Sequence, residues 1–134
     1  MRSLPLTLSL VLAAAFALGG CGSQPVKDLQ RVFQIQEPSK GQTELAVGIQ
    51  RYEDGRYVEA AARLHAALAE GLYPAEEVKA HKFLAFIHCA SRREKQCRSE
   101  FRKALDKDPE FQLEAAEAGH PIWGPVFRSV KDRG

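Results

Sequence analysis

One spacing of small and apolar residues occurs twice between Ala46 and Pro109, and few folds accommodate it. The first copy reads AVGIQRYEDGRYVEAAARLHAAL and the second FLAFIHCASRREKQCRSEFRKALDKDP. In the first, Val47 and Gly48 are followed by Ala60, Leu64, Ala67 and Leu68; in the second, Leu84 and Ala85 are followed at the same offsets by Cys97, Phe101, Ala104 and Leu105. Apolar residues at three- and four-residue intervals on both sides of a short polar break are the pattern of two amphipathic helices joined by a turn. The chain is therefore expected to be all-α and built on two similar helix hairpins.

Matched positions Ala67 and Ala104 stand 37 residues apart, close to the roughly 34-residue period of tetratricopeptide repeats. The stretch resembles two tetratricopeptide hairpins. That resemblance implies a stack that presents a surface to another polypeptide and carries no chemistry of its own.

The ends of the chain set the domain plan. Arg2 precedes an uncharged apolar run from Leu4 to Leu18, and Leu18, Gly19 and Gly20 lead into Cys21. This is the pattern of a secretory signal ending in small residues, and with a cysteine directly after them it resembles a bacterial lipoprotein precursor. A transmembrane anchor is the alternative, but the run falls short of the roughly 20 residues a spanning helix needs. Residues 1–20 are then a signal peptide, and Cys21 is the lipidated N-terminus, with membrane attachment through its acyl chains. In the lipoprotein family the residue after the cysteine influences sorting. Gly22 is not the aspartate of inner-membrane retention, which favours the periplasmic face of the outer membrane.

Residues 21–41 read mostly as a tether, about 25 Å in mean reach if flexible, although Leu29, Val32, Phe33 and Ile35 form a short apolar group able to dock on the domain. Residues 42–110 hold the two hairpins, and 111–134 form a capping loop and short helix. A formal charge of +2 implies neither nucleic acid nor an anionic membrane surface as a partner.

Within the hairpins, Thr43 is an N-cap candidate for a first helix ending near Asp54 and Gly55. The second helix carries Tyr57, Ala60, Ala61, Leu64, Ala67 and Leu68 on one face and stops at Gly71. The third runs from Pro74 to about Ala90, and its apolar FLAFI segment marks it as the centre of the core. The fourth runs from about Glu94 to Asp106, ahead of Asp108 and Pro109. Phe111, Leu113, Ile122, Trp123, Val126 and Phe127 are too many large apolar groups for a free tail, so a helix over Pro125 to Lys131 is expected to close the stack.

Cys89 and Cys97 flank the turn of the second hairpin. In an oxidising compartment they either bridge the two helices or remain unpaired, Cys97 then being a small core residue in the slot Ala60 fills in the first hairpin; the Cα separation decides between these. His81 and His88 share a helix face, but no zinc-type spacing accompanies them, so no metal is expected. His120 reads as a structural histidine, and Ser91 and Ser129 lack a nucleophile context. No catalytic residues, no cofactor and no enzymatic activity are expected.

The lipobox, the hairpins, the FLAFIHCxxxxxxxCRxxFRKALxxDPxFxL stretch and the AEAGHPIWGPVF tail together are similar to the small tetratricopeptide lipoproteins of bacterial type VI secretion systems, the TssQ-type family. The resemblance implies an accessory lipoprotein that binds a protein component of the envelope complex; a pilotin-like or outer-membrane assembly lipoprotein is the alternative. In repeats of this type the first helix of each hairpin lines a concave groove, which selects Ile49 and Tyr52 with Lys82 and Phe86 as partner contacts. Ile49 and Phe86 are otherwise covered by the N-terminal segment or the C-terminal tail. Arg92, standing where the first turn has Gly55, departs from the repeat pattern.

Overall fold

A computed structural model describes residues 37–133. The signal segment, Cys21 and the apolar group around Phe33 lie outside the described residues. Six helices follow in order: α1 Lys40–Glu53, α2 Tyr57–Glu70, α3 Pro74–Ala90, α4 Glu94–Lys107, α5 Ala115–Ala118 and α6 Trp123–Lys131. The fold is all-α, with two antiparallel hairpins, α1–α2 and α3–α4, and a short C-terminal helix.

The first helix starts earlier than Thr43. Ser39 and Gln42 form a reciprocal capping box: the Gln42 N–H donates to Ser39 Oγ (3.2 Å) and the Ser39 N–H donates to Gln42 Oε1 (2.9 Å). Two orphan donors are satisfied there at once, so the helix begins at Lys40, and Thr43 sits inside it with its hydroxyl donating to the Ser39 carbonyl. The division between tether and hairpins placed at residues 41 and 42 therefore falls within α1. At the other end of the chain, α6 begins at Trp123, two residues before Pro125. A proline in the first turn removes no helical hydrogen bond. The one-turn helix α5 was not anticipated; Glu114 opens it, its N–H donating to Glu117 Oε2 (3.1 Å).

Packing follows from the small residues. A Cβ on Gly48 would stand 2.9 Å from Leu64 Cγ, so glycine there sets the close approach of α1 to α2. The core has two parts that meet at α3. Leu84 and Ile87 join Leu45, Ala60, Leu64, Ala67 and Ala80 between the hairpins. Ala85, Phe86 and Cys89 join Cys97, Phe101, Leu113, Phe127 and Val130 beneath the C-terminal segment. A helix feeding two cores must be apolar on more than one side, as the FLAFI segment is. The last helix packs on α4 and α3 much as α3 packs on α2 and α1. It thus stands where the first helix of a third hairpin would, and supplies the burial that two hairpins alone lack.

Candidate functional site: a groove closed by its own tail

The hairpin register places Tyr52 of α1 beside Phe83 and Phe86 of α3, with ring centroids 5.0 and 6.3 Å apart. Tyr52 and Phe86 are two of the residues the repeat resemblance selects for a partner, but the groove is occupied. Trp123, the first residue of α6, stacks on Phe86 at 4.5 Å and 24°, leaving Phe86 2% exposed. Lys82 is 9% exposed; its Nζ donates to Glu117 Oε1 of α5 at 2.7 Å and lies 5.0 and 5.8 Å from the Phe83 and Phe86 rings. A buried ammonium survives only when paired and hydrogen-bonded, and Glu117 supplies that pair from the tail.

Two of the four groove residues are thus corrected as exposed contacts: Phe86 is covered by the C-terminal tail, as the alternative reading has it, and Lys82 is paired with that tail. Ile49 packs at the edge of the inter-hairpin core and is half-buried. Tyr52 is half-buried too, and burial, reinforced by Tyr57 and Glu117, pushes its phenol up to about 12, so it stays neutral. What remains open is the rim, where Tyr57 is 40% exposed with its ring 5.5 Å from Tyr52.

The tail is locked by its own geometry. His120 lies flat on the Trp123 indole at 3.4 Å and 2°, and its Nδ1 accepts from the Ile122 N–H at 3.2 Å. A Cβ on Gly124 would overlap the Ala118 carbonyl, so only glycine lets α6 pass that close to α5. Arg128 Nη1 donates to the same carbonyl at 3.0 Å. Lys131 Nζ donates to the Phe111 carbonyl at 2.9 Å, and Arg98 of α4 donates to Ser129 Oγ. Ser129 in turn donates to the Val126 carbonyl, so its hydroxyl is engaged in holding α6.

The second hairpin contains a buried polar cluster that sequence reasoning missed. His81 Nδ1 lies 2.6 Å from Glu100 Oε2, and Lys103 Nζ donates to Glu100 Oε1 at 2.7 Å. Burial alone would raise the Glu100 carboxyl, but the hydrogen bonds from His81 and Lys103, with their charges, outweigh it and hold the group below its ordinary range. The signal for Glu100 was in the spacing, because it falls with Cys97, Phe101 and Ala104 on the inward face of α4. His88, on the same helix as His81, is shifted down by desolvation and by Arg93, and among the described residues its Nδ1 has no partner.

A disulfide joins Cys89 and Cys97, with Cα atoms 5.2 Å apart. Bridged sulfurs are not thiolate ligands, and among the described residues no group of three His, Cys, Asp or Glu side chains could hold a metal. Ser91 is exposed at the end of α3. The arrangement can bind and orient helices, and its charged groups are engaged in closing the structure.

Comparison with known protein families, with curated proteins and with solved structures finds no match to this chain.

Proposed function

We propose that this chain is a lipid-anchored, protein-binding accessory factor of a bacterial envelope machine, most specifically a type VI secretion system. The observation that carries the reading is the pair of stacked helix hairpins, a scaffold whose use elsewhere is to hold another polypeptide; the resemblance of the Leu18 to Cys21 stretch to a lipobox supports the anchor. The filled groove moves the contact surface to the rim, so the residues proposed to meet the partner are Ile49, Tyr52 and Tyr57. Lys82 and Phe86 serve the fold.

Two measurements test the proposal in the native host. Mass spectrometry of the membrane fraction should find acylated Cys21 at the mature N-terminus, with the protein released to the soluble periplasm in Cys21→Ser. Deleting the gene should abolish type VI export of the inner-tube protein, and Tyr57→Ala should weaken export while leaving the protein level unchanged. Normal export in the deletion strain would overturn the secretion assignment, and an unmodified Cys21 would overturn the anchor.

A further inference from the structure

The formal charge of +2 conceals an uneven distribution. Between Ser91 and Lys103 six cations stand against two carboxylates. In the first hairpin, Lys40, Arg51, Arg56 and Arg63 each lie within 4.0 Å of a carboxylate. The second hairpin differs: among the described residues Arg92, Arg93, Lys95 and Arg102 have no such partner, and all four are exposed.

These cations share one surface. Arg92, Arg93 and Lys95 line a shallow concavity at the hairpin tip together with Arg98. Arg102, about one turn beyond Arg98 along α4, lines a second in which three cations, with Lys131 and Arg133, stand against the one carboxylate of Asp106. Lys95, Arg98 and Arg102 recur at three- and four-residue spacing on one face of α4, with the Arg98 guanidinium tied to Glu94 and to Ser129 of α6. Like charges held together repel one another. One of them also sits in a costly backbone: Arg92 has φ 58° where the first hairpin has glycine, a left-handed conformation that crowds the Cβ of any other residue.

We propose that the tip of the second hairpin and the adjoining face of α4 form a contact surface for anionic phospholipid headgroups. The inference rests on the lipid-anchor reading for its setting. A flat charged lattice suits this surface better than an acidic peptide, because the tip offers exposed cations over shallow concavities and no groove to hold an extended chain. Reach is sufficient: α1 starts at the end of the stack opposite the hairpin tips and is about 21 Å long, and the chain from Cys21 to Ser39 spans roughly 60 Å when extended. With the domain laid on the bilayer, each cation near the surface adds to attraction that salt screens.

The test uses the mature chain, residues 21–134, carrying Cys21→Ser so that no acyl chain contributes, with its disulfide intact. Sedimentation with vesicles of phosphatidylglycerol and phosphatidylcholine, against phosphatidylcholine alone, measures partitioning at low and high salt. The chain should pellet with the anionic vesicles at low salt and be released at high salt. The variant R92Q/R93Q/K95Q/R102Q should partition about tenfold less or weaker still, with an unchanged circular dichroism spectrum, whereas R56Q/R63Q should bind as the parent does. Failure of the parent to pellet, equal pelleting of the four-site variant, or binding to polyglutamate without binding to vesicles would each overturn the proposal. Because acylation is absent from this assay, such a failure leaves the anchor to be judged by the Cys21 mass alone.

Discussion

The first hairpin turns at Gly55 and the second at Arg92, and both residues adopt left-handed backbone, with φ 74° and 58°. Glycine takes that conformation at little steric cost and arginine does not, so the two turns reach one shape by different means. The first hairpin is held by side-chain packing and surface ion pairs such as Arg63 with Glu44. The second adds a disulfide, a buried His81–Glu100 pair bonded to the exposed Lys103, and the C-terminal segment. A repeat that is uniform in spacing is thus uneven in what holds it, and the reinforced hairpin is the one that tolerates the strained turn and the unpaired cations.

The comparison can be broken most severely at Phe86, where α3 meets the tail. Phe86→Ala should destabilise the protein by about 3–5 kcal/mol, measured by urea unfolding, because Trp123, Phe101 and Tyr52 all lose a ring partner. Truncating the rim residue Tyr57 should cost far less, and equal losses at the two positions would mean that the tail contributes nothing to the second hairpin.

Reduction of the disulfide is the next largest effect. Opening so small a loop should cost about 2–3 kcal/mol, read as a lower unfolding midpoint in reductant, with the double variant Cys89→Ala/Cys97→Ala insensitive to the reductant.

Glu100→Gln should cost about 1–3 kcal/mol, since it leaves His81 and Lys103 without their carboxylate. The pH dependence has a defined sign. A carboxyl held below its ordinary 4.5 contributes stability that is complete above that value and is lost as pH falls through the folded pKa. His88, held below its ordinary 6.5, resists protonation in the folded state, so stability begins to fall as pH drops past 6.5. Acid unfolding should therefore begin with His88 and steepen with Glu100, and Glu100→Gln should remove the steeper part.

The smallest effects lie at the turns. Arg92→Gly should stabilise by up to about 1 kcal/mol and Gly55→Ala should destabilise by about as much, both within reach of paired denaturation curves. A loss of stability in Arg92→Gly would show that the arginine side chain holds the second turn.

The helices that end at strong backbone punctuation were legible in the sequence. Gly55, Gly71, Pro74 and Pro109 bound α2, α3 and α4 closely, because glycine and proline act on the backbone wherever they stand. The start of α1 was misplaced because the polar residues around Ser39 look like tether, while the capping box that decides the boundary is a three-residue relation between Ser39 and Gln42. The groove was legible only by half. Repeat spacing picked the helices that line it, but its occupant comes from Trp123 and Glu117, remote in sequence from Phe86 and Lys82, and no periodicity carries such a pairing. The excess of large apolar groups in the tail signalled that it must pack somewhere; where it packs depends on the open face the hairpins leave.

Trp123 is the single tryptophan of the chain, and it lies between His120 and Phe86 at the point where the tail enters the groove. The protein therefore carries a built-in optical probe of that contact. Its emission should shift to the red when the tail lifts away, while the far-ultraviolet signal of the four long helices persists, so opening of that contact can be followed in the unlabelled protein.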